Sequence, residues 1–123
     1  MAFTDTGFET AIAARVLYES SMTNAVQSNI TGGPGTLYSV NINSSNDQVS
    51  YVKIANLYTA SSGSTAPDWI FACAANSSEH YEIPGGISFD YLSIWLTVNP
   101  SPADNTGPTL TGNEAVAVTV VTG

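Results

Sequence analysis

The chain has 123 residues and a formal net charge of -8, with two basic side chains (Arg15 and Lys53), one histidine (His80) and one cysteine (Cys73). That length fits one hydrophobic core, and the few cationic, imidazole and thiol groups cannot form the clusters that most catalytic, metal-binding or phosphate-binding schemes use. Two basic residues cannot supply the footprint that nucleic acid or an anionic membrane requires, so neither is expected as a partner.

Residues 1–11 mix small, polar and aromatic types without a period and read as an extended N-terminal arm; residues 12–123 read as one folded domain. The arm shows no basic or hydrophobic region of the kind that opens a secretory signal, which points to synthesis in a cytoplasm. Residues 12–18 could open a helix, but nothing continues the pattern, and the polar stretch to Thr31 argues for a strand and loop. Thr31-Gly32-Gly33-Pro34-Gly35 is a breaker. Beyond it the period becomes two, with Tyr38, Val40 and Ile42 expected inward and Ser39, Asn41 and Asn43 outward.

A turn at 44–47 precedes a strand expected from Tyr51 to Tyr58, with Val52, Ile54 and Tyr58 on one face. The apolar run Trp69–Ala75 contains Cys73, which reads as a small buried hydrophobe. Tyr81 and Ile83 lead into Pro84-Gly85-Gly86, read as a tight turn. Ile87, Phe89 and Tyr91 then alternate, and Leu92, Ile94, Leu96 and Val98 alternate in the opposite phase. That slip requires a bulge or a sheet-switching bend. Residues 99–112 hold three prolines and read as loop, and Glu114–Val121 as a terminal strand with Val116, Val118 and Val120 on one face. Six or seven strands spaced by Gly/Pro turns predict an all-β fold, an antiparallel β-sandwich or jelly roll.

No side chain earns assignment as catalytic, cofactor-binding or metal-ligating. The ten carboxylates read mostly as solvated turn residues rather than as a hydrolytic pair. The loops 43–47 and 104–105 offer oxygen donors to calcium, but turn chemistry explains the same residues and no EF-hand spacing occurs. His80 has no second histidine nearby and reads as an exposed strand residue among carboxylates, short of a zinc site. The sequons at Asn29, Asn43 and Asn76 are as many as chance supplies in so Asn- and Ser/Thr-rich a chain. Tyr38, Tyr58, Trp69, Tyr81, Tyr91 and Trp95 could line a sugar-binding face, but their place in the strand periods assigns most of them to the core.

Taken in order, Gly35-Thr36-Leu37-Tyr38-Ser39-Val40, Tyr51-Val52-Lys53-Ile54, Ala66-Pro67-Asp68, Ile83-Pro84-Gly85-Gly86-Ile87-Ser88-Phe89 and Val116-Ala117-Val118-Thr119-Val120 resemble small β-sandwich virion proteins of tailed bacteriophages. The resemblance spans residues 12–121 and departs at Asn56, where that group tends to carry aspartate or a tyrosine-aspartate pair, and at Asp90-Tyr91, where small residues are commoner. It implies a capsid decoration (cement) protein, not an enzyme, made in the host cytoplasm and added to the outer capsid surface. The implied partners are the major capsid protein and further copies of the chain, met through edge strands and the arm. A tail, neck or baseplate component and a carbohydrate-binding host-adhesion module are the alternatives.

Overall fold

Alternating apolar and polar side chains bury one face of an extended chain, and two such faces must meet to exclude water. The computed structural model describes residues 15–123, which form seven strands and no helix. They are β1 (Arg15–Glu19), β2 (Gly35–Ser44), β3 (Ser50–Ala55), β4 (Trp69–Cys73), β5 (Ser78–Phe89), β6 (Ser93–Thr97) and β7 (Val116–Thr122). One sheet has the order β1-β7-β2-β5 and the other β4-β3-β6, with every pair antiparallel. The expected antiparallel sandwich is therefore present. The arm at 1–11 lies outside the described residues.

The core forms where the two inner faces meet. Leu37, Val40, Ile42, Val116, Val118 and Val120 of the larger sheet face Val52, Ile54, Ile94 and Leu96 of the smaller one. Each fully buried aliphatic of this kind contributes roughly 1.5–3 kcal/mol relative to exposure. Met22, Cys73, Phe89 and Leu92 complete the cluster. Cys73 is buried, as expected, and its Sγ lies 3.4 Å from the carbonyl oxygen of Ser77.

Two local expectations are corrected by one irregularity in β2. The register slips between Leu37 and Ser39, so Leu37 points into the core and Tyr38 points out. Opposite this slip, Leu37 pairs with Ile87 while Ser39 pairs with Glu82, which places 83–86 in an expanded bulge. Pro84-Gly85-Gly86 is thus a bulge inside β5 and not a turn between strands. Gly85 and Gly86 take left-handed backbone angles (φ 79° and 75°) that side chains rarely adopt.

The phase slip at Tyr91–Leu92 is a sheet switch: β5 belongs to the larger sheet and β6 to the smaller. β3 ends at Ala55 rather than at Tyr58, whose ring is exposed. Residues 12–14 are outside the described residues, and the chain enters as strand β1 rather than helix.

The smaller sheet is sealed on its outer face as well. Lys53, Trp95, Ala55, Ser93 and Thr97 lie on that face and are all buried. The segment 98–112 covers it, and Lys53 Nζ donates to the carbonyls of Ser101 (2.5 Å) and Asp104 (3.3 Å). Burial pushes the Lys53 ammonium below its ordinary pKa, while the nearby Asp104 charge opposes that shift. Trp95, on the same face, packs with Ala55, Ala60 and Val26.

Candidate contact surfaces

A sheet edge presents unpaired N–H and C=O groups, so its treatment shows whether it is closed or open to a partner. Among the described residues the sheets have four edges: β1 and β5 in the larger, β4 and β6 in the smaller. The segment Met22–Ile30 covers β6 through Gln27 N–H to Ile94 C=O (2.9 Å), Ile94 N–H to Gln27 C=O (3.0 Å) and Ile30 N–H to Leu92 C=O (2.9 Å). On the β4 side, the Tyr81 hydroxyl donates to the Ala72 carbonyl at 2.5 Å and its ring packs on Phe71 at 5.2 Å. β5 carries exposed Glu79, His80, Glu82 and Pro84, which discourage strand addition. His80 is exposed and pairs with Glu82 at 3.4 Å, as expected for a histidine among carboxylates.

β1 is different. Val16 and Tyr18 on its outward face are each 65% exposed, while Leu17 between them packs against the core. Its two ends carry Arg15 and Glu19. The Arg15 guanidinium donates to the Thr31 carbonyl. Between β1 and the segment 22–30 lies a groove of about 280 Å³ lined by Leu17, Met22, Ile30, Ile94 and Val118. The sequence hid this edge, because a five-residue strand beside an aperiodic arm gives little alternation to read.

A second apolar surface sits where β3 and β5 end. Tyr58 and Tyr91 meet edge to face with centroids 5.3 Å apart, and Leu57 beside them is 46% exposed. Asn56 organises the two loops that carry them. Its Oδ1 accepts from Asp90 N–H (2.8 Å) and Tyr91 N–H (3.0 Å), and its own N–H donates to Asp68 Oδ2 (2.7 Å). The Ser93 hydroxyl anchors Leu57 through its carbonyl at 2.7 Å. The rings are therefore held on an ordered loop frame rather than left on free loops.

These positions divide the six aromatics evenly. Trp95 is fully buried, and Trp69 and Tyr81 pack against the core, whereas Tyr38, Tyr58 and Tyr91 are exposed. The expectation that most are core residues fails for those three: the β2 bulge turns Tyr38 outward, β3 ends before Tyr58, and Tyr91 lies in the connection where the chain leaves β5 for β6. The oxygen-rich loops are filled by the protein's own donors. Asn46 donates to Thr109 C=O (2.7 Å) and Glu114 Oε1 (3.1 Å), while Asp104 accepts from Asn99 Nδ2 (3.2 Å) and Thr106 N–H (3.1 Å). Among the described residues no group of three His, Cys, Asp or Glu side chains converges as a metal site. Comparison with known proteins finds no matching family model, no matching curated protein and no matching solved structure.

Proposed function

We propose that this protein is a capsid decoration (cement) protein of a tailed bacteriophage, which binds the outer capsid lattice and stabilises it through interfacial contacts alone. The sequence resemblance spanning residues 12–121 supplies the virion assignment. The observation that carries the interfacial part is the exposed Leu57–Tyr58–Tyr91 surface, held in place by Asn56. Preordered aromatic side chains lose little conformational freedom on docking, which is why they dominate binding energy at interfaces. A protein that binds only the assembled lattice stabilises that lattice by mass action. With Trp95 sealed in the interior, the alternative of a sugar-binding module lacks one of its two tryptophan platforms.

Two measurements test the reading. Quantitative mass spectrometry of purified particles should give a copy number comparable to that of the major capsid protein, or lower by a small integer. A handful of copies per particle would move the protein to the tail, neck or baseplate. Replacing Tyr58 and Tyr91 together by alanine should abolish rebinding to stripped capsids while the fold survives. Unchanged rebinding would remove this surface from the interface.

A further inference from the structure

The edge strand β1, which pairs only with β7 among the described residues, has a sequence that complements itself. Written along β1, Arg15-Val16-Leu17-Tyr18-Glu19 places a cation at one end, an anion at the other and apolar residues between. In an antiparallel pairing of two such strands centred on Leu17, Arg15 stands opposite the partner's Glu19, and Glu19 opposite the partner's Arg15. Val16 stands opposite the partner's Tyr18, and the two Leu17 residues face each other. Strand alternation puts these pairs on consistent faces: Val16 and Tyr18 outward, Arg15, Leu17 and Glu19 toward the groove.

We infer that β1 is a self-association edge, which pairs with β1 of a second copy about a two-fold axis through Leu17. Four features of the molecule point to this occupant. The other three edges are covered, tied back or guarded by charge and proline, as described above. Val16 and Tyr18, the two most exposed large apolar side chains of the described residues, both lie on this one short strand. Each would gain a directly opposite apolar neighbour, the arrangement that stabilises cross-strand pairs. Finally, this register sets Arg15, one of only two basic side chains in a chain of net charge -8, against a carboxylate in each of two symmetric pairs, a local attraction that offsets the repulsion between two acidic copies.

The Arg15 contact with Thr31 C=O does not compete with this pairing. A guanidinium has five N–H donors, and one neutral acceptor leaves the rest for a carboxylate. The result would be an isologous dimer in which two four-stranded sheets join into one of eight, with order β5-β2-β7-β1-β1-β7-β2-β5. The inference rests on β1 alone and holds whether or not the chain belongs to a virion.

Sedimentation equilibrium of the full chain, with charge-swapped variants, tests it. The unaltered protein should show a concentration-dependent dimer. Arg15→Glu and Glu19→Arg each replace two attractive cross-strand pairs by two repulsive ones and should weaken dimerisation about tenfold or more. Mixing the two single variants restores both attractive pairs and should restore the dimer, as should the double swap in one chain. Should either swap unfold the protein by circular dichroism, Tyr18→Lys takes its place, with the same expected weakening. A monomer persisting to about 1 mM, or single swaps that leave dimerisation unchanged, would overturn the inference and leave the edge to a different partner. Failure of the mixed variants to recover would overturn the proposed register.

Discussion

Replacing Gly86 by alanine tests the bulge in β5 most directly. At φ 75° an L-residue meets its own backbone, at a cost of roughly 1–2 kcal/mol. A Cβ at this position would also lie 2.3 Å from Thr36 Cγ2 and 3.0 Å from Tyr38 Cε1. Thr36 is β-branched and sits in β2, so it cannot swing away freely, and such overpacking adds about 1–3 kcal/mol. Gly86→Ala should therefore destabilise by roughly 2–5 kcal/mol. Gly85 provides the internal control: its φ is 79°, but nothing lies within 4 Å of its added Cβ. Gly85→Ala should show the backbone cost alone, about 1–2 kcal/mol. Urea unfolding of both variants measures the difference, and adding Thr36→Ser to Gly86→Ala should recover part of it by removing Cγ2. Equal destabilisation by the two alanines, within about 0.5 kcal/mol, would refute the packing described for this bulge.

Asn56→Ala should leave the Asp90 and Tyr91 amides without their acceptor and destabilise by about 1–3 kcal/mol in urea unfolding. Asn56→Asp keeps an acceptor and should cost clearly less, so equal losses would sink the proposed role of Oδ1. Burial holds the folded-state pKa of Lys53 below 10.5, so the folded chain binds fewer protons than the unfolded chain between that lowered value and 10.5. Stability contributed at this position should accordingly rise with pH across that window. The stability of the unaltered protein relative to Lys53→Met should grow as pH rises toward 10.5, and a flat or falling difference contradicts the account. Glu114 is held below the usual 4.5 chiefly by the Thr111 N–H, so its contribution is present above 4.5 and lost as pH falls through the folded value. Glu114→Gln should flatten the acid limb of the unfolding profile in that range. Burial and the Glu79 charge raise the Cys73 pKa, so a disulfide reagent should label the native protein far more slowly than the urea-unfolded chain. Comparable rates would place the thiol at the surface.

Much of the sandwich was legible because period two survives wherever a strand is regular. β7 is the clearest case, with Val116, Val118 and Val120 inward as the alternation requires. The sheet switch at Tyr91–Leu92 was legible for the same reason, since a change of phase has to be accommodated somewhere. The slip between Leu37 and Ser39 was not, because its cause lies in residues 83–86 on another strand. A one-residue displacement there turns Tyr38 outward while Val40 and Ile42 beyond it stay inward. Lys53 was equally opaque: a lysine in a strand reads as solvent-facing, and only the fold reveals that residues 98–112 return to cover it. The contact surfaces follow the same rule. Tyr58 and Tyr91 belong to different loops, and nothing local announces that Asn56 ties those loops together.

The cover over the smaller sheet also decides where the chain will accept foreign sequence. Residues 99–112 look like a linker, with three prolines and few apolar side chains, and would be the natural choice for a displayed peptide or a proteolytic site. Yet this segment is fastened at intervals: Asn24 to Asn105 C=O (2.6 Å), Asn46 to Thr109 C=O (2.7 Å) and Lys53 to Ser101 C=O (2.5 Å). An insertion there would lift the seal from the buried Lys53 ammonium. The Gly32-Gly33 turn, with no heavy atom within 4 Å of an added Cβ at either glycine, can be lengthened at the expense of its own local hydrogen bonds and without opening either sheet.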